Sequence, residues 1–408
     1  MPPEGRCRPV TENQANRGST LFLPILLSSS AFAILEFMLP VYGKQLGASA
    51  LEIGGMFSVF AFTMTVVRPL VGWAMDRLGR KRFLVLALVC RAGSLVLFAV
   101  ARDVAGLYVA RFAQGLAASL TWISAYAIAA DLAPVGARGG AVGRVDEASA
   151  RGGLYGAVVG FVVLGWLPLV TGWPALFIGY ALLAIVGAWL AWKNVPETLL
   201  PQVGQVSQQR TVMSASLLKL MVIVFITGGS TAMVSPLLLI LLQDKFTTDV
   251  SVLAMAFIPA ALVSSFLPSR LGRLSDRFGR APLIAAGLTG SGLVSLFLPG
   301  LPAMGWLVVL WVLEATGWAM ASPAQEALVA DLTGNETRGT GYGLYSFASS
   351  LGATCGPLLG GWLYDSVGHA TPFYVNGIVL LVSTLWVLVL LRRPVSQAMD
   401  HADRQMGA

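Results

Sequence analysis

The chain has 408 residues, 56% of them hydrophobic and only 12% charged, with a mean hydropathy of +0.74. Soluble domains carry about 25% charged residues, and apolar stretches recur along the whole length here, which excludes both a soluble protein and a single anchor on a soluble domain. The net charge of +7 would suggest nucleic acid in a soluble chain, but these basic residues sit in short loops between apolar stretches, where they act as topology signals.

A spanning helix needs about 20 predominantly apolar residues. Alternating strands of a membrane barrel are absent, so helices are the means of crossing lipid. Twelve spans are expected, at 20–42, 50–74, 83–101, 105–131, 139–165, 172–193, 215–241, 250–271, 281–300, 304–330, 338–363 and 371–391. No small-residue cleavage site follows the first of them, so it reads as a retained span and not a signal peptide. Residues 194–214, rich in Gln, Pro and Ser, read as a linker between an N-terminal six-helix half (1–193) and a C-terminal half (215–408). With the N-terminus in the cytoplasm, twenty basic residues fall in inner loops and tails, against Lys44, Arg102 and Lys245 outside. That bias predicts both termini on the cytoplasmic side. Cys7, Cys90 and Cys355 are far apart and the two histidines lie outside the spans, so no disulfide framework, metal site or cofactor is expected. No P-loop is present, so ATP is not expected to act directly.

The sequence repeats at an offset of 200 residues. Gly72, Asp76, Arg77, Gly79 and Arg80 fall on Gly272, Asp276, Arg277, Gly279 and Arg280. Asp131 falls on Asp331 and Arg138 on Arg338, while Gly152, Gly156 and Gly160 fall on Gly352, Gly356 and Gly360. One offset across several loops and helices marks an internal duplication. Halves with an even number of spans run parallel, and the working site of such proteins lies between them near the midplane.

Three motifs carry a resemblance. The loop after span two reads Gly72, Asp76, Arg77, Gly79, Arg80, Lys81 and Arg82; span four carries Leu107, Arg111, Gln114, Gly115 and Ala118. Span eleven carries Gly352, Gly356, Pro357, Gly360 and Gly361, a pattern that span five keeps only in part, with Ala157 in place of the proline. These residues resemble the major facilitator superfamily over nearly the whole chain, and its drug/proton antiporter branches most. The resemblance implies a secondary active transporter that works by alternating access. It also implies an inner gate built from Gly72, Asp76, Arg77, Gly79, Arg80, Asp131, Asp276 and Arg277, with Gly72 as a point of close helix approach.

Charges inside spans each cost about 2.5–3.5 kcal/mol at a helix centre on insertion scales, so each needs a reason. Glu36 stands in an otherwise apolar stretch of span one, either as a carrier of protons or cations or as an ion-pair partner of Arg91 or Arg111. Arg111 completes the span-four motif that the resemblance links to proton coupling; snorkelling at the outer end is the alternative. In span five Ser149, Gly152, Gly156 and Gly160 share one helical face, expected to meet the other half. Arg144, Glu147 and Arg151 share the opposite face, where Glu147 and Arg151 can form a structural pair. Asp146 lies between the faces and is the second candidate for a protonatable group. In span ten Glu314 and Glu326 are about 120° apart around the helix. Glu314, near Trp311 and Trp318, suits a cationic ligand, and with Gln114, Trp318 and Glu326 it makes up the expected substrate cavity.

The expectation is therefore an all-α, multi-pass protein of the cytoplasmic (inner) membrane, not an enzyme. It exports a lipophilic or amphiphilic small molecule against protons through Glu36, Arg111 and Asp146, and acts as a monomer. A lipid or glycolipid flippase, or a sugar or organic-anion carrier of the same fold, are the alternatives.

Overall fold

Hydrocarbon offers no water to a backbone N–H or C=O, so a spanning segment must close its hydrogen bonds internally, and the long apolar segments of this chain do so as α-helices. The computed structural model describes residues 19–133, 138–198, 215–246, 259–260, 262–263, 267, 277–332 and 338–390. Helix α1 runs over Phe22–Ser28 and Phe32–Gln45, either side of a turn. It is followed by α2 (Ala50–Leu78), α3 (Arg80–Val100), α4 (Val104–Leu132), α5 (Arg138–Trp166) and α6 (Leu169–Asn194). Then come α7 (Ala215–Lys245), α8 (Arg280–Phe297), α9 (Met304–Leu332), α10 (Arg338–Ser366) and α11 (Thr371–Leu390). Among the described residues, 10 helices are long and apolar enough to cross a membrane; α10 is helical throughout but is not one of these. The expected span 250–271 lies almost entirely outside the described residues.

The chain divides into two compact units, Met1–Ala48 with Val59–Gln205, and Ser49–Ser58 with Val206–Ala408. In the first, Ile25, Leu84, Leu88, Ile128, Val145 and Val195 form an apolar core. In the second, Leu217, Leu220, Val224 and Val329 do the same. Within the second unit, the carboxylate of Asp365 accepts the N–H groups of Ala50 and Leu51 at 3.3 and 2.8 Å. Ser49 and Glu52 close a capping box there.

The break in α1 has a local cause. Ser28 and Ser30 turn their hydroxyls onto the carbonyls of Ile25 and Leu27 at 3.0 and 2.9 Å, the kind of back-bonding that bends helices. The turn frees the Ser28 carbonyl inside the protein, and the buried Arg91 of α3 donates to it at 3.4 Å. Arg91 thus serves the backbone of α1, and Glu36 pairs elsewhere.

The glycine faces differ from the sequence expectation. A Cβ on Gly152 would fall on the Leu26 carbonyl and one on Gly156 on the Ser30 carbonyl, so this face of α5 packs on α1 inside its own unit. Gly352, Gly356 and Gly360 of α10 meet Phe225, Gly229 and Met233 of α7 in the same manner. Small residues let two backbones touch, and here the touching helices belong to one and the same compact unit. Gly72, in contrast, has nothing among the described residues within 4 Å of where a Cβ would stand. The repeat reappears in backbone geometry: Gly79 and Gly279, each just before a helix, have φ of 105° and 91°, a region that L side chains rarely adopt.

Overpacking a tight contact costs about 1–3 kcal/mol. Gly156→Val should therefore lower the thermal unfolding midpoint in detergent, followed by tryptophan fluorescence, while Gly72→Ala should not. Equal effects of the two would contradict the packing described.

Candidate functional site

In the first unit, α1 and α4 bring Glu36 and Arg111 together. Arg111 Nη1 donates to Glu36 Oε1 at 3.0 Å and to Gln114 Oε1 at 2.9 Å. The side chain of Arg111 is 0% exposed, and that of Glu36 is 36% exposed. The guanidinium lies over the Phe60 ring of α2, 5.3 Å from its centroid. Gly115 sets this geometry, because a Cβ there would strike the Phe60 carbonyl and Thr63. Removing one partner of a buried ion pair costs about 3–5 kcal/mol, because the other is left as an uncompensated charge. Here the fully buried partner is the arginine and the more exposed partner is the carboxylate. Gln114, expected at the substrate cavity, is instead buried with its oxygen taken by Arg111.

A second polar group lies between α4 and α5. The Tyr126 hydroxyl donates to Asp146 Oδ1, and Arg68 of α2 interacts electrostatically with Tyr126. Tyr126 was not singled out in the sequence. A tyrosine in an apolar helix carries no signal until its partner is seen. One residue on from Asp146, Arg151 Nη2 donates to Glu147, both exposed, and the guanidinium faces the Phe22 ring at 5.7 Å.

Of the expected gate residues, Arg80 pairs with Asp131 across the ends of α3 and α4. Arg77 lies over the Trp73 ring at 4.1 Å. The side chain of Asp76 and all of Asp276 lie outside the described residues. Arg277 is exposed over Phe278 at 5.7 Å. A carboxylate missed in the sequence completes this corner: Glu197, just past α6, accepts the N–H of Arg80 at 2.8 Å and that of Lys81 at 3.3 Å. It caps the start of α3, where the first N–H groups have no helical partner.

In the second unit a cavity of about 430 Å³ is lined by Glu314, Trp311, Trp318, Thr231, Ser295 and Asn376 among others. Its polar side is ordered: Ser230 donates to Asn376 Oδ1 at 2.7 Å, Asn376 Nδ2 donates to Ser295 Oγ at 3.0 Å, and Ser295 donates to the Phe373 carbonyl at 2.9 Å. A smaller adjoining space shares Thr231, Glu314 and Trp318 and adds Gln325 and Tyr345, and there Ser291 lies beside Glu314. Glu326 lines neither of these two spaces and is exposed. Successive helical residues are turned by about 100°, and it is Gln325 that faces inward, buried and accepting from the Tyr345 hydroxyl at 3.5 Å. Asn376, in an otherwise strongly apolar span, was not recognised in the sequence.

Repeated helical units, charge networks held inside the spans and a mixed aromatic and polar cavity define a polytopic membrane carrier. The chain belongs to the Major Facilitator Superfamily, whose sequence model matches residues 21–219 and again residues 220–406. It is accordingly a multi-pass carrier of small molecules and not an enzyme. The chain is 26% identical to "Multidrug resistance protein 1" of Bacillus subtilis over 372 residues, 88% of this chain and 94% of that one. It is also 26% identical to "Multidrug resistance protein MdtG" of Yersinia enterocolitica over 403 residues, covering 94% and 95%. Among solved structures, a bacterial homolog of the human lysosomal transporter Spinster superposes with a TM-score of 0.74 at 15% identity, covering 94% of this chain and 98% of that one. The human organic anion transporter MFSD10 superposes with a TM-score of 0.67 at 20% identity, covering 93% and 100%.

Coupling between Glu36 and Arg111 is directly measurable. Glu36→Gln and Arg111→Gln should each lower the thermal midpoint, and the double variant should lose far less than the two together, with an interaction of about 0.5–3 kcal/mol. Additive losses would show that the pair is not an energetic unit.

Proposed function

We propose that the protein exports lipophilic or amphiphilic compounds in exchange for protons, and that one observation carries this reading: a fully buried Arg111 held by a half-open Glu36. A proton arriving at Glu36 removes the anion that offsets Arg111, and a buried cation so exposed is costly. Protonation and conformation are thereby tied to one another. One charge moved through 100 mV is worth about 2.3 kcal/mol, enough to drive useful accumulation. The Tyr126–Asp146 group, with Arg68 beside it, serves as a second station on the proton path. Arg80 and Asp131 latch the inner gate, together with the loop residues Asp76 and Arg77 and their repeat at Asp276 and Arg277.

The substrate follows from the second unit's cavity. A carboxylate between two tryptophans attracts a cation through charge and ring quadrupole together, and the apolar lining favours a lipophilic one. The names of the relatives from Bacillus subtilis and Yersinia enterocolitica point to the same class of cargo. An organic-anion carrier needs spare cationic side chains in its cavity; Arg91 is turned to the Ser28 carbonyl and Arg151 to Glu147. The architecture that goes with this reading has twelve spans in two halves, 1–193 and 215–408, joined by the linker 194–214. Both termini lie in the cytoplasm, and the protein is a monomer in the inner membrane working by alternating access.

Cells expressing the protein should export ethidium, and a protonophore should stop the export. Glu36→Gln should abolish uphill export while leaving ethidium binding to the purified protein intact, and Glu314→Gln should weaken that binding. Uphill export undiminished in Glu36→Gln would remove Glu36 from the mechanism.

A further inference from the structure

The first unit holds a cleft of about 760 Å³ where α2, α3 and α6 come together at one end, beside the proposed gate residue Arg77. Arg77, Lys81 and Arg82 line it, and the one carboxylate among the described residues that line it, Glu197, is already engaged by the N–H groups that open α3. The cleft is therefore rich in positive charge. From Lys81 and Arg82 the lining continues along α3 through Val85 to Leu86 and Val89, at steps of three and four that keep one helical face. Leu86 and Val89 are about half exposed, and Trp192 of α6, beside them, is 66% exposed. In a bilayer that apolar strip meets acyl chains, with an interfacial tryptophan at its end.

We propose that this cleft is a binding site for an anionic phospholipid, its phosphate and glycerol headgroup among Arg77, Lys81 and Arg82 and its acyl chains along Leu86, Val89 and Trp192. Two features select this occupant. Three cations within one cleft match a phosphate ester better than they match a zwitterion, and basic pockets between spanning helices bind such headgroups. The exposed apolar strip continues from the charged end without interruption, which a water-soluble phosphate would not need. Because Arg80, between these cations, is the residue that pairs with Asp131, a seated lipid also fixes the chain segment that carries the latch.

The test uses the full-length protein, delipidated in detergent and titrated with phosphatidylglycerol, phosphatidylcholine or inorganic phosphate, with bound lipid counted by native mass spectrometry and stability followed by thermal unfolding. Retention of phosphatidylglycerol over phosphatidylcholine is expected, with a rise in the thermal midpoint that inorganic phosphate does not reproduce. Lys81→Gln combined with Arg82→Gln should cut phosphatidylglycerol retention several-fold, and Trp192→Ser should cut it without altering the charge. Lys219→Gln, which removes a basic residue from α7, should not. Equal retention of the two lipids, equal losses in the Lys219 variant, or full stabilisation by inorganic phosphate would each overturn the proposal. If the paired variant fails to fold, the Trp192 variant alone decides it.

Discussion

A charge inside a membrane span has no water to turn to, so its partner must come from the protein, and the first unit is organised around that requirement. Arg111 is completely buried in α4, and α1 must present Glu36 to it across a distance of 3.0 Å. Everything near the pair serves to hold that approach. Gly115 lets α4 settle against Phe60 of α2, and Gly152 and Gly156 let α5 press on the backbone of α1. Arg91 meets the carbonyl that the serine turn sets free one helical turn before the Glu36 segment begins. A carrier needs a charge whose compensation can change during its cycle, and that is the role proposed for Glu36.

The two units answer different demands with the same repeat. In both, a glycine in the left-handed region precedes a helix, at 79 and 279, and a glycine face of one helix is laid on the first helix of its unit. The polar content differs. The first unit holds Glu36, Arg111, Asp146 and their partners, while the second builds an aromatic cavity with one carboxylate, Glu314, and a closed hydrogen-bond chain through Ser230, Asn376 and Ser295. Every polar group in that chain has a partner, so the cavity wall is rigid where it is polar and adaptable where it is apolar.

Much of this was legible in the sequence, for physical reasons. Charge is rare enough in a span that Glu36, Arg111, Asp146 and Glu314 stood out in the sequence, and the 200-residue offset exposed the duplication. What could not be read was direction and partnership. Small-residue faces announce a close contact but not with which helix, so the face of α5 was assigned to the other half when it belongs to α1. Gly72 matched a motif, yet among the described residues it has no neighbour to approach. Glu326 and Gln325 differ by a single helical step, and only the packed helix shows that Gln325 turns inward. Tyr126, Asn376 and Glu197 are ordinary residues in sequence, significant only through Asp146, Ser230 and the start of α3.

The link between ligand and proton can be read without a membrane. Purified protein in weakly buffered detergent, with a pH indicator dye, is mixed with tetraphenylphosphonium, a lipophilic cation that does not itself titrate. Release of protons from the wild-type protein, and none from Glu36→Gln although the cation still binds, is the expected result. Proton release of the same size from the Glu36→Gln protein would contradict the role given to the Glu36–Arg111 pair.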